Sequence, residues 1–124
     1  MPGESNPRVN HGSINHNSLT SYNIVLDLDE CLIHTMSTGT TDIYHGIVRD
    51  HPKLRSRLFQ FDLIDTRSRK GQGVSEKYWG VTRPHLDKFL DFCYNYFRTV
   101  SVWSAAQPAY VRNVVARIFQ GRKL

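Results

Sequence analysis

The chain has 124 residues, which is room for one domain and too little for two. Hydrophobic residues make up 40% of it and aromatic residues 11%, which predicts a packed core and argues against wholesale disorder. Sixteen Lys and Arg residues against eleven Asp and Glu residues give a formal net charge of +5. No apolar run approaches the roughly 20 residues of a membrane-spanning helix. We therefore expect neither a membrane anchor nor a secretory leader.

The basic excess lies at the C-terminal end. Basic and acidic residues balance at eleven each through Asp91, and no acidic residue follows. The basic residues beyond that point are Arg98, Arg112, Arg117, Arg122 and Lys123. Such an end attracts phosphorylated proteins, nucleic acid and acidic partners alike, and is often only a solvated surface. No nucleic-acid motif accompanies it, so we do not expect nucleic acid as the partner.

Cysteine usage favours a reducing, intracellular compartment. The two cysteines, Cys31 and Cys93, lie far apart without the spacing of metal ligands, so neither a disulfide scaffold nor a zinc module is expected. Cys93 falls on an apolar helical stripe, where a free cysteine usually acts as a small buried hydrophobe.

The first part of the chain changes character near residue 22. Residues 1–21 are rich in Asn, Ser, Gly, Pro and His, which predicts a flexible leader before a domain over residues 22–124. The apolar run at residues 23–26 is typical of a fully buried strand in the middle of a parallel sheet. Asp27 and Asp29 follow it, at the end of the strand where open α/β sheets bind ligands.

The remaining elements alternate between strands and helices. Residues 36–57 look irregular, and residues 58–66 and 74–81 predict a β-hairpin around the basic, glycine-containing segment 67–73. Apolar spacing predicts helices over residues 84–97 and 107–119, with a short strand over residues 99–103 between them. This order predicts an α/β fold built on a right-handed crossover, with an insertion at about residues 40–80.

The two aspartates carry the chemical signal. In an extended backbone they project the same way, and carboxylates held that close need a cation, a hydrogen-bond network or a proton. Mg²⁺ accepts one or two carboxylates together with water and phosphate oxygens. One aspartate can attack phosphorus, and the other can protonate the leaving oxygen and activate water. A lone pair of this spacing is common, and a solvent-facing turn is the alternative.

Three blocks together resemble one family. Residues 23–35, NIVLDLDECLIHT, are similar to the D-L-D-E-T-L-I/V-H-S/T signature of RNA polymerase II C-terminal-domain (CTD) phosphatases. These are the small-CTD-phosphatase or NLI-interacting-factor-like group of the haloacid dehalogenase superfamily. Residues 78–90, YWGVTRPHLDKFL, resemble its V-x-x-R-P-H/G-L-D-x-F-L block. Residues 100–110, VSVWSAAQPAY, resemble its V-x-V-F/W-T/S-A-S-x-x-x-Y block.

The resemblance implies a fold, an activity and roles for four residues. The fold is a haloacid dehalogenase-like (Rossmannoid) parallel sheet with flanking helices and a hairpin insertion. The activity is Mg²⁺-dependent dephosphorylation of phosphoserine or phosphothreonine in proteins, through an aspartyl-phosphate. Asp27 would be the nucleophile and Asp29 the general acid and base, and both would hold Mg²⁺. Ser104 and Arg83 would bind the substrate phosphate, although Ser104 also suits a helix cap and Arg83 a plain surface position.

The same resemblance implies a partner and a location. The substrate would be a phosphorylated protein or peptide such as the RNA polymerase II tail, and the location would be the nucleus. The oligomeric state stays open.

The chain departs from the family pattern in two places. Cys31 stands where the family has Thr, and a thiol is a weaker hydrogen-bonding partner than a hydroxyl, so we expect a tolerated change. Relatives also supply a lysine and a pair of aspartates after the last helix, and no acidic residue follows Asp91 here. We therefore expect a C-terminally truncated domain, either a fragment or a shortened relative. A non-catalytic module that binds phosphopeptides or partners is the alternative function.

Overall fold

A computed structural model of the chain describes residues 14–37, 39–65 and 74–124. Its strands are β1 (Asn23–Asp27), β2 (Ile33–Met36), β3 (Leu58–Asp65), β4 (Val74–Thr82) and β5 (Thr99–Trp103). Its α-helices are α1 (Thr41–Asp50), α2 (Leu86–Tyr96) and α3 (Pro108–Ile118), and a 3-10 helix covers Pro52–Arg57. No helix in the described ranges is long and apolar enough to cross a membrane.

The strands form two small sheets. β1 and β5 pair in parallel, with a register that runs from Asn23 opposite Thr99 to Asp27 opposite Trp103. β2, β4 and β3 form an antiparallel sheet in that spatial order, in which β3 and β4 are the predicted hairpin. The α/β class, the parallel pairing and the hairpin insertion predicted from the sequence are therefore confirmed. The segment between the two hairpin strands, residues 67–73, lies outside the described residues.

The core lies where helices α2 and α3 meet the inner faces of both sheets. Each helix buries three residues at helical spacing, which are Leu86, Leu90 and Cys93 in α2 and Tyr110, Val114 and Ile118 in α3. The strands and loops contribute Leu26, Leu28, Leu32, Ile33, Phe61 and Val100 to the same cluster. Cys93 is fully buried, as its place on the apolar stripe predicts. Burial of these apolar side chains is the main term that stabilises the fold.

One expectation about β1 is wrong. The run at residues 23–26 predicts a strand buried on both faces, but Val25 is 62% exposed while Leu26 is only 6% exposed. The reason is the two-residue alternation of a strand, which turns Ile24 and Leu26 toward the core and Val25 to the opposite face. In the part of the chain that the structure describes, β1 pairs with β5 alone.

The expectation that residues 36–57 are irregular is also wrong, because this segment contains α1 and the 3-10 helix. Helix α1 includes Gly46 and several β-branched residues, and it buries no residue completely, so its local signal is weak. A tertiary contact supports it instead. The ring of Tyr44 packs against Trp79 of β4 with a centroid separation of 5.6 Å.

The segment before β1 contacts the end of α2. The backbone N–H of Asn15 donates to the carbonyl of Arg98 over 2.8 Å, and the N–H of Thr20 donates to the carbonyl of Tyr96 over 3.0 Å. Residues 1–13 lie outside the described ranges. The domain boundary placed at residue 22 stays a prediction.

Two glycine substitutions test the packing with opposite expected signs. A Cβ at Gly80 would lie 2.6 Å from the Phe59 ring and 2.8 Å from the backbone oxygen of His34, whereas a Cβ at Gly46 meets nothing within 4 Å. We expect Gly80→Ala to lower the free energy of unfolding by about 1–3 kcal/mol through overpacking. We expect Gly46→Ala, within α1, to raise it by about 0.5–1 kcal/mol. Urea denaturation measures both, and equal effects would contradict the packing described at Gly80.

Candidate active site

Two predicted site residues stand at the carboxyl ends of the parallel pair. Asp27 is the last residue of β1 and lies opposite Trp103, the last residue of β5, which Ser104 follows directly. Parallel strands end at the same edge of their sheet, so this register brings Asp27 and Ser104 to one edge. Asp27 is exposed there and Ser104 is half-buried.

The loop after β1 is fixed by Leu28. Its side chain is fully buried in the core, and its carbonyl oxygen accepts backbone N–H bonds from Leu32 over 2.9 Å and from Ile33 over 3.2 Å. Glu30 adopts a left-handed conformation with φ of 60°, which reverses the chain directly after Asp29. Asp27 and Asp29 thus lie on either side of the buried Leu28, at the start of a tight turn.

Asp29 is held by a hydrogen-bonded chain that reaches it from α3. The Tyr110 hydroxyl donates to Oδ1 of Asp29 over 2.5 Å. Because that hydroxyl has a single proton, the 2.7 Å contact between Thr35 Oγ1 and the Tyr110 oxygen is a bond donated by Thr35. Hydrogen bonds to a charged acceptor are the strong ones in proteins. The chain therefore fixes one carboxylate oxygen of Asp29, while Oδ2 accepts no hydrogen bond within the described part of the chain.

Burial keeps Tyr110 protonated. Tyr110 is only 8% exposed, and burial, followed by its hydrogen bond to Asp29, raises the pKa of its hydroxyl well above the ordinary value of 10. Both effects oppose a tyrosinate beside a carboxylate. Tyr110 is thus a permanent donor to Asp29 at neutral pH.

A cavity of about 480 Å³ opens beside Asp29. Its wall is made by the start of α3 and by the hairpin, and it includes Asp29, Thr35, Leu63, Glu76, Tyr78 and Tyr110. Its wall mixes apolar side chains with polar groups that converge on one space, which suits a ligand that carries polar groups. The pocket leads to Asp29, and Asp27 and Ser104 lie at the sheet edge outside its lining.

Ser104 closes the turn between β5 and α3. Its Oγ accepts the backbone N–H of Ala106 over 3.1 Å, while the helix begins at Pro108 with Gln107 as its N-cap and without a side-chain cap. The hydroxyl is therefore bonded within the turn rather than to the helix. The strand register places this short polar side chain at the same sheet edge as Asp27.

Arg83 lies elsewhere. Its guanidinium carbon lies 5.1 Å from the centroid of the Phe89 ring, and its side chain lines other cavities, together with Arg57. The structure brings Asp27, Asp29 and Ser104 to one end of the fold, and Arg83 lines no cavity together with any of these three residues, so its phosphate contact stays a prediction. Cys31 is exposed on the turn after Asp29 and contributes to a cavity that Arg83 also lines.

Tyr110 and Thr35 are the site residues that the sequence reasoning missed. Both lie in the recognised blocks, Thr35 at the end of the first and Tyr110 at the end of the third. Their spacing from Asp29 gives no sign of contact, because the bond between Asp29 and Tyr110 spans 81 residues. The tyrosine that ends the third block is the one feature of the sequence that could have pointed to Tyr110 as a site residue.

The carboxylates suit a hard divalent cation such as Mg²⁺. Magnesium is commonly bound by one or two carboxylates and completed by water and phosphate oxygens, and the exposed carboxylate of Asp27 suits that set, with the backbone carbonyl of Asp29 as a further oxygen donor. No group of three or more His, Cys, Asp or Glu side chains able to hold a metal occurs among residues 14–37, 39–65 and 74–124. The donor set fits an ion shared with a substrate phosphate rather than one caged by protein alone.

Comparison with known families agrees with this geometry. Residues 22–124 match the model of the NLI interacting factor-like phosphatases. The chain belongs to this family. The match covers all three sequence blocks and every element described above, so the NLI interacting factor-like resemblance predicted from the sequence is confirmed. No curated protein matches the chain.

Two solved structures of Fcp1 share the fold of this NLI interacting factor-like chain. One is fission yeast RNA polymerase II CTD phosphatase Fcp1-R271A bound to beryllium fluoride, and the other is described as Fcp1, an essential RNA polymerase II CTD phosphatase. Each superposes with a TM-score of 0.61 at 21% identity. The alignment covers 82% of this chain and 28% of the Fcp1 chain, so the chain spans under a third of the Fcp1 length.

The raised pKa of Tyr110 predicts a specific alkaline loss of stability. The unfolded chain loses this proton near pH 10 while the folded chain keeps it, so the stabilisation is complete below pH 10 and is lost as the pH rises above it. One such group contributes a fall of about 1.4 kcal/mol per pH unit. We expect Tyr110→Phe to flatten the decline of unfolding free energy above pH 10.

The control for this measurement is Tyr22→Phe, since Tyr22 is 73% exposed. Denaturation at a series of alkaline pH values compares the three slopes. Equal slopes for the wild type and Tyr110→Phe would contradict a buried, carboxylate-bound hydroxyl.

Proposed function

We propose that this chain is the nucleophile-bearing part of a phosphatase domain that removes phosphate from phosphoserine or phosphothreonine in proteins. The observation that carries the proposal is the arrangement of Asp27, exposed at the end of β1, beside Ser104 at the end of β5 and next to a tethered Asp29. Membership in the NLI interacting factor-like phosphatases supports the reaction class.

The different surroundings of the two carboxylates support different roles. Asp27 is exposed. Among the hydrogen bonds of the described residues, its carboxylate accepts only the backbone N–H of Leu28, over 2.9 Å. An exposed carboxylate oxygen can reach phosphorus in line with the leaving oxygen. Asp29 is half-buried and fixed by Tyr110, which suits a group that must present one oxygen in a constant direction.

The proposed reaction takes place in two steps. A carboxylate oxygen of Asp27 attacks phosphorus, the bond from phosphorus to the serine or threonine oxygen breaks, and Oδ2 of Asp29 gives that oxygen its proton. Water then attacks the aspartyl-phosphate, Asp29 takes the proton back, and Asp27 is released with inorganic phosphate. The Ser104 hydroxyl donates to a phosphoryl oxygen and helps to orient the group.

Magnesium would be held by the carboxylate of Asp27 and by the backbone carbonyl of Asp29. When bound, it neutralises charge on the phosphate and on the attacking carboxylate. The protein's own groups do the rest: Tyr110 fixes Asp29, and the buried side chain of Leu28 holds the loop on the core.

The substrate we propose is a phosphorylated protein or peptide, with the RNA polymerase II tail as the leading candidate. The Fcp1 chains of the same fold are described as RNA polymerase II CTD phosphatases, and that shared fold supports the assignment. On the same ground we propose a nuclear location.

A binding module without turnover is the second candidate. The described residues hold no group of three or more His, Cys, Asp or Glu side chains that could bind a metal. A sparse set lowers the charge neutralisation that phosphoryl transfer needs, while a phosphate could still bind at the sheet edge.

Activity toward p-nitrophenyl phosphate with Mg²⁺ separates the two candidates. We expect Asp27→Asn to lower the rate by more than about a thousandfold, because the nucleophile is lost. Asp42→Asn is the matched control, since Asp42 is an exposed aspartate in the first turn of α1. Equal rates for the wild type and Asp27→Asn would contradict catalysis and favour the binding module.

The role of Asp29 is tested by the leaving group. Nitrophenolate leaves without a proton, whereas a serine alkoxide needs one, so loss of the acid should harm peptide hydrolysis more. We expect Asp29→Asn to lower the rate on a phosphoserine peptide about tenfold or more beyond its effect on p-nitrophenyl phosphate. The same loss on both substrates would argue against Asp29 as the general acid.

A further inference from the structure

A second cavity, of about 340 Å³, lies between the beginning of α2, the end of α3 and the first strand of the hairpin. Four basic side chains line it, and they are Arg57, Arg83, Lys88 and Arg117. We call it the basic cavity. It shares no lining residue with the pocket beside Asp29.

The charge of the basic cavity is not neutralised by the described part of the chain. Its one carboxylate, that of Asp87, lies 3.5 Å from a guanidinium nitrogen of Arg122. The four lining cations form no ion pair with a carboxylate of residues 14–37, 39–64 or 75–124. Like charges gathered around one cavity repel, and an anion bound between them removes that cost.

Packing holds the guanidinium groups in place. The guanidinium carbon of Arg117 lies 5.8 Å from the centroid of the buried Phe61 ring, and that of Arg83 lies over Phe89. Nε of Arg57 donates to the carbonyl of Thr82 over 2.9 Å. Held guanidinium groups lose less freedom when they bind, and their fork of N–H donors matches the oxygens of a phosphate.

We propose that the basic cavity is a second phosphate-binding site, which takes a phosphorylated side chain of a peptide whose other phosphorylated residue reaches Asp27. A smaller cavity lies next to the basic cavity, and it is lined both by Arg57 and Arg83 and by Glu30 and Cys31 of the turn that follows Asp29. The proposal rests on the proposed function in taking a phosphoprotein as the ligand. It also gives Arg83 an anion-binding role away from the reacting group.

A phosphomonoester fits this surface better than nucleic acid does. The four cations converge on one cavity, and a phosphomonoester carries close to two negative charges on one group at neutral pH. Nucleic acid carries single charges spaced along a chain and is matched by a strip of cations.

The test maps where phosphoserine binds on the full chain. The Asp27→Asn variant prevents turnover, and its backbone amide resonances are followed as a short Gly–Ser peptide with one phosphoserine is added. We expect shifts at two places, around Ser104 and around residues 83–88 and 117, each with its own affinity. The unphosphorylated twin peptide should shift neither.

Charge-matched variants test the assignment. Lys88→Gln with Arg117→Gln removes two cations from the basic cavity, whereas Arg98→Gln with Arg112→Gln removes two exposed cations outside it. We expect the first pair to weaken binding at residues 83–88 roughly tenfold or more, and the control pair to change it less than about threefold. Binding near Ser104 should stay the same in both.

Three outcomes would overturn the proposal. These are shifts confined to the surroundings of Ser104, equal weakening by both pairs of variants, and displacement of the peptide from residues 83–88 by a tenfold lower concentration of single-stranded RNA. If one of the pairs fails to fold, the shift map of the Asp27→Asn chain still decides. The proposed function is tested separately, because it fails if the unmutated chain does not hydrolyse p-nitrophenyl phosphate.

Discussion

The parallel pairing of β1 with β5 is the constraint on which the site depends. Its register sets the last residues of the two strands, Asp27 and Trp103, opposite each other, so a carboxylate and the Ser104 hydroxyl meet at one edge. A shift of one residue would turn Leu26 away from the core and Asp27 toward it. The hydrophobic pattern that fixes the fold therefore also fixes the position of the nucleophile we propose.

The second constraint is that Asp27 and Asp29, two identical side chains, have different hydrogen-bonding surroundings. Leu28, fully buried between them, holds both aspartates at the start of the turn, but only Asp29 meets the hydroxyl of Tyr110. Tyr110 is also a core residue of α3, so the packing of that helix sets the direction of the carboxylate. Core packing therefore gives the two carboxylates different surroundings. This difference supports the proposal of Asp27 as nucleophile and Asp29 as general acid and base.

The predictable parts of the fold are those with strong local periodicity. Helices α2 and α3, the strand β5 and the hairpin follow from apolar spacing, because their buried faces are regular. Helix α1 could not be predicted, since its local signal is weak and Tyr44 contacts Trp79, a residue distant in sequence. Asp27 and Asp29 were found because they follow an apolar run directly. The places of Tyr110 and Arg83 depend on contacts across the fold, which no local pattern shows.

The central claim is that Asp27 accepts the phosphoryl group. The most direct measurement is mass spectrometry of the full chain, quenched with acid during turnover of p-nitrophenyl phosphate in Mg²⁺, with the modified residue located after proteolysis. The account predicts one added phosphoryl group, on Asp27, and none on Asp29 or in the Asp27→Asn variant. A phosphoryl group on another residue, or turnover that leaves Asp27 unmodified at every time point, would contradict it.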